Sequence, residues 1–368
     1  MFWLLVGLLA LLFAYLGAIK SKYKYIFRVL LIITLAIPIS FGGTTSADHE
    51  GYARNYNYMS TRSVGELVKD YDFVSSVISQ REETYEIGFT TLIISINKLD
   101  FTEAAFFLII ALITTTLYVS VFYRFRFNPL IILIFLTTVY YSHQANLVRQ
   151  MIAVTIFLYS TKFLVKQDIW KYLLLVVLAA SFHSSAFLLF LFTPLYMVRK
   201  ESNLFWLLLL IVWIITVPLA LHIINFDFFS LMPSVLNFTV SVQEAQRVGA
   251  EINFDLVYNI FVLLFFLLRK NVPEEYLKYA ALFVIGGILL NISQQMALIY
   301  RFALYFAPLM CALIPNLTDV RAKKLSPSLL VLRGVVIVYY AYVFLSSMVL
   351  SKNPPFTKDM YSISDLFM

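Results

Sequence analysis

Long apolar segments recur from one end of this chain to the other, and they constrain the fold more than any other feature. Of the 368 residues, 61% are apolar and only 13% are charged, about half of the roughly 25% charged residues in a soluble domain. A bilayer core of about 30 Å requires about 20 apolar residues per helix. The sequence therefore predicts an all-α, polytopic integral membrane protein and excludes a soluble cytosolic enzyme.

About twelve membrane-spanning segments are predicted, in a single transmembrane domain over residues 1–368. They cover 1–19, 25–41, 102–122, 129–143, 145–164, 169–182, 184–198, 203–222, 254–268, 277–292, 296–315 and 328–349. Two larger connections, 42–101 and 223–253, are predicted to be extracytoplasmic loops. Within the first, apolar residues at helical spacing over 64–78 predict an amphipathic helix, lying on the membrane or packed over the bundle.

The basic residues orient these segments, because cytoplasmic connections carry an excess of Lys and Arg. Basic residues crowd the first short connection, so both chain ends are predicted to lie outside. This topology puts 17 basic residues inside and 10 outside, with Arg333 left uncounted at the start of a span. One unbroken helix over 169–198 would instead give 13 inside and 14 outside. We therefore predict a helix break near His183, in a turn that faces outside.

Charge and cysteine content narrow the class of partner. The net charge is +7, but the basic residues form small clusters between apolar runs, which is untypical of a nucleic-acid interface. The single cysteine, Cys311, excludes a disulfide framework and a multi-cysteine metal site. No nucleic-acid partner is expected, and membrane lipid surrounds the predicted spans.

Two arginines near the outer starts of spans are candidates for binding an anion. Arg149 follows Asn146 by three residues, one turn into a span, and Arg301 lies in Tyr300-Arg301-Phe302 near the start of another. Helix N-termini favour anions, and guanidinium groups bind phosphate oxygens bidentately. A pair of such arginines would suit a diphosphate. The alternatives are contact with lipid headgroups or a structural ion pair with Glu86 or Asp48.

Three outward-facing residues are candidates for accepting a proton. His183 has an imidazole suited to this near neutral pH, although a hydrogen-bonded histidine at a helix junction, with Ser184 or Ser185 as cap, is an equal alternative. Glu86 precedes an apolar stretch, and its partial burial would raise its pKa towards neutrality. Asp48 is a further candidate, better suited to binding a sugar hydroxyl. Either carboxylate could instead be a solvated charge.

No metal or cofactor is expected from the sequence. Asp70 and Asp72 resemble a metal-binding pair, but two acids on an amphipathic helix usually form its polar face, and Glu82-Glu83 is interpreted in the same way. The chain lacks a glycine-rich phosphate loop, a zinc-binding HExxH motif and a nucleophile elbow. A soluble nucleotide is therefore an improbable substrate class.

These outer-face motifs, in this order, resemble those of the EpsG family of bacterial polysaccharide polymerases, which is related to the Wzy-type O-antigen polymerases. The similarity runs from about residue 40 to 310. The matching residues are Asp48 and Tyr52; Glu86, Gly88 and Phe89; Asn146, Arg149, Gln150 and Ala153; Phe182, His183, Ser185 and Ala186; and Tyr300, Arg301 and Phe302. The family commonly has an arginine just before a Gly-Thr-Asp region, where this chain has Phe41-Gly42-Gly43-Thr44. Either Arg54 supplies that anion contact or the contact is missing.

The resemblance implies a fold, an activity and a set of site residues. The fold would be a GT-C-like bundle of the polymerase and ligase type in the bacterial inner membrane. The enzyme would be a metal-independent glycosyltransferase that joins oligosaccharide repeat units carried on undecaprenyl diphosphate, at the extracytoplasmic side. His183, Glu86 and Asp48 would be catalytic, and Arg149, Arg301 and Arg54 would bind diphosphate. Tyr52, Asn146, Gln150 and Tyr300 would contact substrate. A chain-length regulator and a flippase are further candidate partners.

Three other functions remain open at this point. A ligase that moves a finished glycan from the same lipid to another acceptor shares the chemistry. A polyprenyl-phosphate-dependent glycosyltransferase would use the acidic pairs in the first outer loop with a metal ion. A lipid-linked sugar flippase should place charges near the bilayer midplane, often within an internal repeat; here the charges gather at one face and no repeat is visible, which favours an enzyme.

Overall fold

The described part of the chain is helical. The computed structural model describes residues 2–19, 22–41, 49–59, 86–125, 127–196, 202–221, 223, 252–269, 272, 274–294, 297–317 and 327–350, and these ranges contain no strand. The α-helices are α1 (Phe2–Ala18), α2 (Lys24–Phe41), α3 (His49–Met59), α4 (Ile87–Asn97), α5 (Glu103–Phe122), α6 (Pro129–Thr137), α7 (Val139–Asn146), α8 (Val148–Val165), α9 (Ile169–Phe182), α10 (Asn203–Ala220), α11 (Ile252–Leu268), α12 (Leu277–Ser293), α13 (Ala297–Phe306), α14 (Leu309–Leu317) and α15 (Pro327–Phe344). A 3-10 helix covers Ser184–Tyr196, a short one covers Glu274–Tyr276, and a π-turn covers Leu345–Val349.

Several of these helices have the length and apolar composition of membrane spans. Among the described residues five helices qualify, and a sixth span is obtained if the bent pair α13 and α14 is counted as one. Each of the twelve predicted segments is helical over most of its described length. These helices are those of a polytopic membrane protein, whereas a total of twelve crossings stays a prediction.

Short capping motifs start α5 and α6, where the sequence changes from polar to apolar. Thr102 accepts a hydrogen bond from the Ala105 N–H at 3.2 Å and begins α5. Asn128 accepts one from the Leu130 N–H at 3.0 Å, just before Pro129 at the first position of α6. Proline is tolerated there because the first N–H groups of a helix have no intrahelical partner.

Three breaks or bends in the described helices bear on the predicted spans, one between two predicted spans and two within a predicted span. The break at His183 is confirmed, because α9 ends at Phe182 and the 3-10 helix begins at Ser184. The bend of 47° between α13 and α14 coincides with Pro308, which lacks the N–H needed to continue the helix. The segment predicted as one span over 129–143 is instead two short helices, with extended backbone at Thr138 between them. Consecutive β-branched residues at Thr137, Thr138 and Val139 disfavour helix at this point.

The segment predicted as the loop 42–101 contains α3 and α4. Helix α4 has 11 residues, or about 16 Å at 1.5 Å per residue, and is too short to cross a bilayer. Its residues Phe89, Ile93 and Ile94 are buried. The amphipathic helix predicted over 64–78 lies outside the described residues, as does nearly all of the loop predicted over 223–253.

The chain divides into two compact units. The first comprises Met1–Ser160, Trp170–Phe190 and Thr318–Met368. In it, α2 packs against α1 and α5, α1 and α15 pack against α6, and α3 packs against α4. Gly7 of α1 accommodates the ring of Phe344, since an added Cβ would lie 2.3 Å from a ring carbon. Close packing of this kind requires small residues at the contact.

The second unit comprises Thr161–Ile169 and Leu191–Leu317, and α12 is at its centre, in contact with α10, α11 and α13. A buried polar network, which we call the Asn259–Asn291 network, joins three helices. Asn259 of α11 and Asn291 of α12 bond to each other through both amides, at 2.6 and 3.1 Å. Trp213 of α10 donates to Asn259 at 2.7 Å, and Asn291 donates to Thr216 at 3.1 Å.

Most serine and threonine hydroxyl groups in the described helices bond to their own helix. Their side chains donate to a carbonyl three or four residues earlier, a pattern that satisfies the hydroxyl without a partner from another helix. Examples are Thr34, Ser40, Thr91, Ser95, Thr114, Thr115, Thr137, Thr155, Ser160, Ser181, Ser293 and Ser347.

Candidate functional site

Glu86 is the residue around which the candidate site is built. It is the N-cap residue of α4, yet its side chain does not cap that helix. One carboxylate oxygen, Oε2, lies 2.7 Å from Nη1 of Arg149, and the other, Oε1, accepts a hydrogen bond from the Ser184 backbone N–H at 3.0 Å. The side chain is only 6% exposed. A buried carboxylate is thus held by a cation and a backbone donor, as buried charges require.

Helix breaks bring these donors to Glu86. Helix α7 ends at Asn146, Leu147 has non-helical backbone angles, and α8 then begins at Val148. Arg149 therefore lies in the first turn of α8, with its side chain 26% exposed. Ser184 is the first residue of the 3-10 helix that follows α9. Its N–H is one of the donors that a helix start leaves without an intrahelical acceptor.

His183 lies at this second break, between α9 and the 3-10 helix. Its Nδ1 accepts a hydrogen bond from the Ser185 backbone N–H at 3.3 Å and lies 2.6 Å from the Ser185 hydroxyl oxygen. Because a backbone N–H can only donate, Nδ1 is the acceptor, and a neutral imidazole then carries its proton on Nε2. In this tautomer Nε2 is a hydrogen-bond donor.

The electrostatics of Glu86 follow from these contacts. Burial alone would raise the pKa of the Glu86 carboxyl, but Arg149, His183 when its ring is protonated, and the Ser184 backbone N–H hold this pKa below its ordinary value. The direction is opposite to the rise towards neutrality expected from the sequence. The sequence indicated the burial of Glu86 and left an ion pair with Arg149 open as an alternative, and the structure shows that this pair accompanies the burial. With Arg149 paired in this way, Glu86 is a weak base.

Arg149 and the Ser184 N–H together bind an anion, which in this structure is the carboxylate of Glu86. A guanidinium group and a backbone N–H at a helix start are also the donors that bind phosphate oxygens. The Glu86–Arg149 contact is the structural ion pair that the sequence left open as an alternative to anion binding. An ion pair and an anion site use the same donors, so the two interpretations are compatible if a stronger anion displaces Glu86.

All the other predicted site residues except Asp48 lie among the described residues. Gln150 is buried next to Arg149, and Asn146 is partly exposed at the end of α7. Tyr52 of α3 is buried, with its ring 5.7 Å from that of Phe89 in α4. Arg54 is exposed on α3. Tyr300 and Arg301 are partly exposed on α13 in the second unit, and Asp48 lies outside the described residues.

The structure therefore brings Glu86, Arg149 and His183 together. It adds contacts that the sequence did not assign, namely the backbone N–H of Ser184 on Glu86 and the hydroxyl of Ser185 on His183. Within the described ranges, no group of three or more His, Cys, Asp or Glu side chains is placed to hold a metal ion. Asp70, Asp72, Glu82 and Glu83 lie outside those ranges.

Comparison with known proteins identifies the family. The model of the EpsG family matches residues 25–359, which is nearly the whole chain. No curated protein and no solved structure matches the chain. The EpsG family is associated with glycosyltransferase-like polymerases. The match to the family model, together with the apolar helices, shows that the chain belongs to the EpsG family and is a membrane protein of polysaccharide biosynthesis.

Proposed function

We propose that this protein is a surface-polysaccharide polymerase, acting on O-antigen, capsule or exopolysaccharide. It would join oligosaccharide repeat units carried on undecaprenyl diphosphate, at the outer face of the bacterial inner membrane. The observation that carries the proposal is the anion site, in which Arg149 and the Ser184 N–H hold the oxygens of Glu86 beside His183. Family membership supports the same class of chemistry.

In the proposed reaction a hydroxyl oxygen of the incoming unit attacks the anomeric carbon of the growing chain. A new glycosidic C–O bond forms as the C–O bond to undecaprenyl diphosphate breaks, and the diphosphate leaves with the bonding electrons. The departing group develops negative charge, which Arg149 and backbone donors would stabilise. Arg301 and Arg54 are additional candidates for this role, and Tyr52, Asn146, Gln150 and Tyr300 for substrate contact.

The ion pair in the structure suggests how the proton is removed. The donor diphosphate carries more negative charge than a carboxylate, so it would displace Glu86 from Arg149. Without its cation, Glu86 would be governed by burial and would become a stronger base. Glu86 would then take the proton of the attacking hydroxyl, with Asp48 as the other carboxylate candidate. His183, with its proton on Nε2, would donate to a substrate oxygen, unless its tautomer changes and it serves as the base itself.

The proposal is tested with purified protein and a synthetic undecaprenyl-diphosphate-linked repeat unit as the sole glycan. A polymerase makes a ladder of longer glycans on the lipid, whereas a ligase supplied with no other acceptor makes none. Arg149→Lys keeps the charge but loses bidentate geometry, so we expect a rate about 10- to 100-fold lower, corresponding to a charged hydrogen bond of about 1.5–3 kcal/mol. Arg269→Lys is the matched control; Arg269 contacts Asn203 and Trp206.

A full-length ladder from Arg149→Lys would contradict diphosphate binding by this residue, and absence of a ladder from the wild-type protein would contradict the proposed polymerase activity.

The same assay in EDTA tests metal independence, because a leaving group that arginines neutralise requires no divalent ion. Recovery of activity only on adding a divalent ion would favour the acidic pairs of the first outer loop. A flippase and a chain-length regulator are proposed as partners that supply units and limit chain length.

A further inference from the structure

Gly88 lies in the first turn of α4, two residues after Glu86, where this helix meets the end of α9. A Cβ added at Gly88 would lie 2.4 Å from the Ser181 hydroxyl oxygen, 2.7 Å from the Ser181 carbonyl oxygen and 2.9 Å from its carbonyl carbon. Real Cβ atoms essentially never show contacts under 3.0 Å. The hydroxyl could rotate away, but the backbone of α9 could not. Only glycine permits this approach.

Both segments that meet at Gly88, the start of α4 and the end of α9, lead directly into the candidate site. On one side, Gly88 and Glu86 belong to the same short stretch at the start of α4. On the other side, Ser181 is followed within three residues by His183 and by Ser184, whose N–H binds Glu86 at 3.0 Å. Backbone contact at Gly88 and hydrogen bonding at Glu86 therefore join the same two pieces of chain. A displacement at the first contact is transmitted directly to the second.

The distances at Gly88 and at Glu86 leave little room for the two pieces of chain to move apart. Ordinary van der Waals contact begins at 3.4 Å, so the carbonyl oxygen of Ser181 would have to move by about 0.7 Å to admit a methyl group at Gly88. The Glu86 bonds, at 2.7 and 3.0 Å, are already at typical lengths for charge-assisted hydrogen bonds. A shift of that size takes one or both beyond hydrogen-bonding distance. Glycine also disfavours helix relative to alanine, so local helix propensity does not account for its presence.

We propose that Gly88 is a positioning residue, whose missing side chain lets α4 approach α9 closely enough for Glu86 to reach the Ser184 N–H and Arg149. This inference rests on the proposed function, because it assigns to Gly88 the placement of the group that exchanges with the diphosphate and takes the proton. Gly88 itself touches no substrate. Its effect is exerted through Glu86.

The experiment is a double-mutant cycle between Gly88→Ala and Glu86→Gln, measured by two readouts in the purified protein. For the polymerisation rate, we expect Gly88→Ala to cost about 10²-fold, the effect typical of misplacing a reacting group by about 1 Å. The double variant should be no slower than the slower single variant, because a displaced Glu86 has little left to lose. Gly334→Ala is the matched control, since a Cβ there meets nothing within 4 Å, and its rate should stay within about twofold of wild type.

The second readout, the shift in apparent unfolding temperature, does not depend on activity. Coupled residues give a shift in the double variant that is smaller than the sum of the single shifts, whereas independent sites add. Additive shifts, or a near-wild-type rate for Gly88→Ala, would overturn the inference. A wild-type protein that makes no polymer but shows coupled unfolding would contradict the proposed function while supporting the positioning role.

Ser181→Val provides a milder version of the same test if Gly88→Ala does not accumulate. It replaces the Ser181 hydroxyl, which faces Gly88, with a methyl group and adds a second methyl group to the same side chain. The proposal expects a smaller rate loss in the same direction, again coupled to Glu86→Gln. A Ser181→Val protein with the wild-type rate and additive unfolding shifts would contradict it.

Discussion

Two oxygens of one carboxylate make the contacts that define the candidate site. Oε1 and Oε2 of Glu86 bind a backbone N–H and a guanidinium group, in surroundings that expose little of the side chain to solvent. The stability of such a group depends strongly on its partners. Removing one partner of a buried pair leaves a charge without compensation, which costs more than the pair contributes.

Changing Arg149 should therefore make stability depend on pH. In the wild-type protein the lowered pKa of Glu86 means that the ion pair stabilises the fold above roughly pH 4.3, the ordinary pKa of glutamate, and that this contribution is lost as the pH falls through the lowered value. In Arg149→Gln the pKa of Glu86 rises relative to wild type. The deficit of the variant should thus be small near pH 4 and grow towards pH 7, to about 3 kcal/mol.

The measurement is the unfolding midpoint of both proteins in one detergent across this pH range. The double variant Arg149→Gln/Glu86→Gln is the control, because it lacks the titrating carboxyl and its deficit should not change with pH. An equal deficit of Arg149→Gln at pH 4 and pH 7 would mean that Glu86 is solvated rather than buried.

Ser185 and Ser184 offer a matched pair for testing His183. The Ser185 hydroxyl contacts Nδ1 of His183, whereas Ser184 acts on Glu86 through its backbone N–H. Ser185→Ala should lower the polymerisation rate by up to about 10-fold, the effect of losing one hydrogen bond of about 0.5–1.5 kcal/mol. Ser184→Ala keeps its N–H and should retain the wild-type rate. Equal effects of the two substitutions would argue against a role of Ser185 in orienting the ring.

The sequence supplied Glu86, Arg149 and His183 as candidates and left a Glu86–Arg149 ion pair open as an alternative, but it did not place His183 or Ser184 beside that pair. Glu86 is 63 residues from Arg149 and 98 from Ser184 along the chain, and no spacing rule brings such distant positions together. Gly88 was visible only as part of a motif, because its significance depends on the backbone of Ser181. Residue types indicate what chemistry is possible, whereas tertiary contacts determine which groups share it.

At the scale of helices, one break was predicted from the sequence. The break at His183 followed from the distribution of basic residues. The bend near Pro308 was not predicted, although it has a proline at its centre. The break at Thr138 has neither signal, and the β-branched run of Thr137, Thr138 and Val139 is too weak a signal to predict it from the sequence. Helix α4 was missed because 11 residues are too few for a span, so its apolar sequence was assigned to a loop.

The Asn259–Asn291 network makes a prediction at this scale. Asn291→Ala removes the amide that bonds to both Asn259 and Thr216, and should destabilise the protein by about 1–2 kcal/mol, the usual range for polar contacts between membrane helices. Ser293→Ala, on the same helix, is the control, because its hydroxyl bonds only to Leu290 within the described contacts. Unfolding of the two variants in the same detergent provides the comparison. A shift no larger for Asn291→Ala than for Ser293→Ala would show that the network contributes little.

At the scale of the whole molecule, orientation in the membrane is the main prediction. The count of 17 basic residues inside and 10 outside places Lys323 inside and Lys358 outside. Both positions lie outside the described residues, so this prediction depends on the charge distribution alone. A membrane fold predicted from composition can thus be checked independently of its helix packing.

The measurement is labelling of single cysteines with an impermeant thiol reagent in cells whose inner membrane is sealed. Cys311 is buried and is first replaced by alanine. We expect Lys358→Cys to be labelled and Lys323→Cys to be protected until the membrane is permeabilised. The reverse pattern would invert the topology and move the site containing Arg149 and His183 to the cytoplasmic side.

The hydroxyl groups that bond to their own helices give this chain considerable freedom to vary in sequence. Thr114 and Thr115 donate to carbonyls that already accept from helical N–H groups, so replacing either with valine leaves no neighbouring helix short of a partner. Such substitutions should be nearly silent, because they remove no hydrogen bond between helices. Substitutions at Gly88, Glu86, Arg149 and Asn291 should not be silent, because each of these residues makes a close contact or a hydrogen bond with another helix.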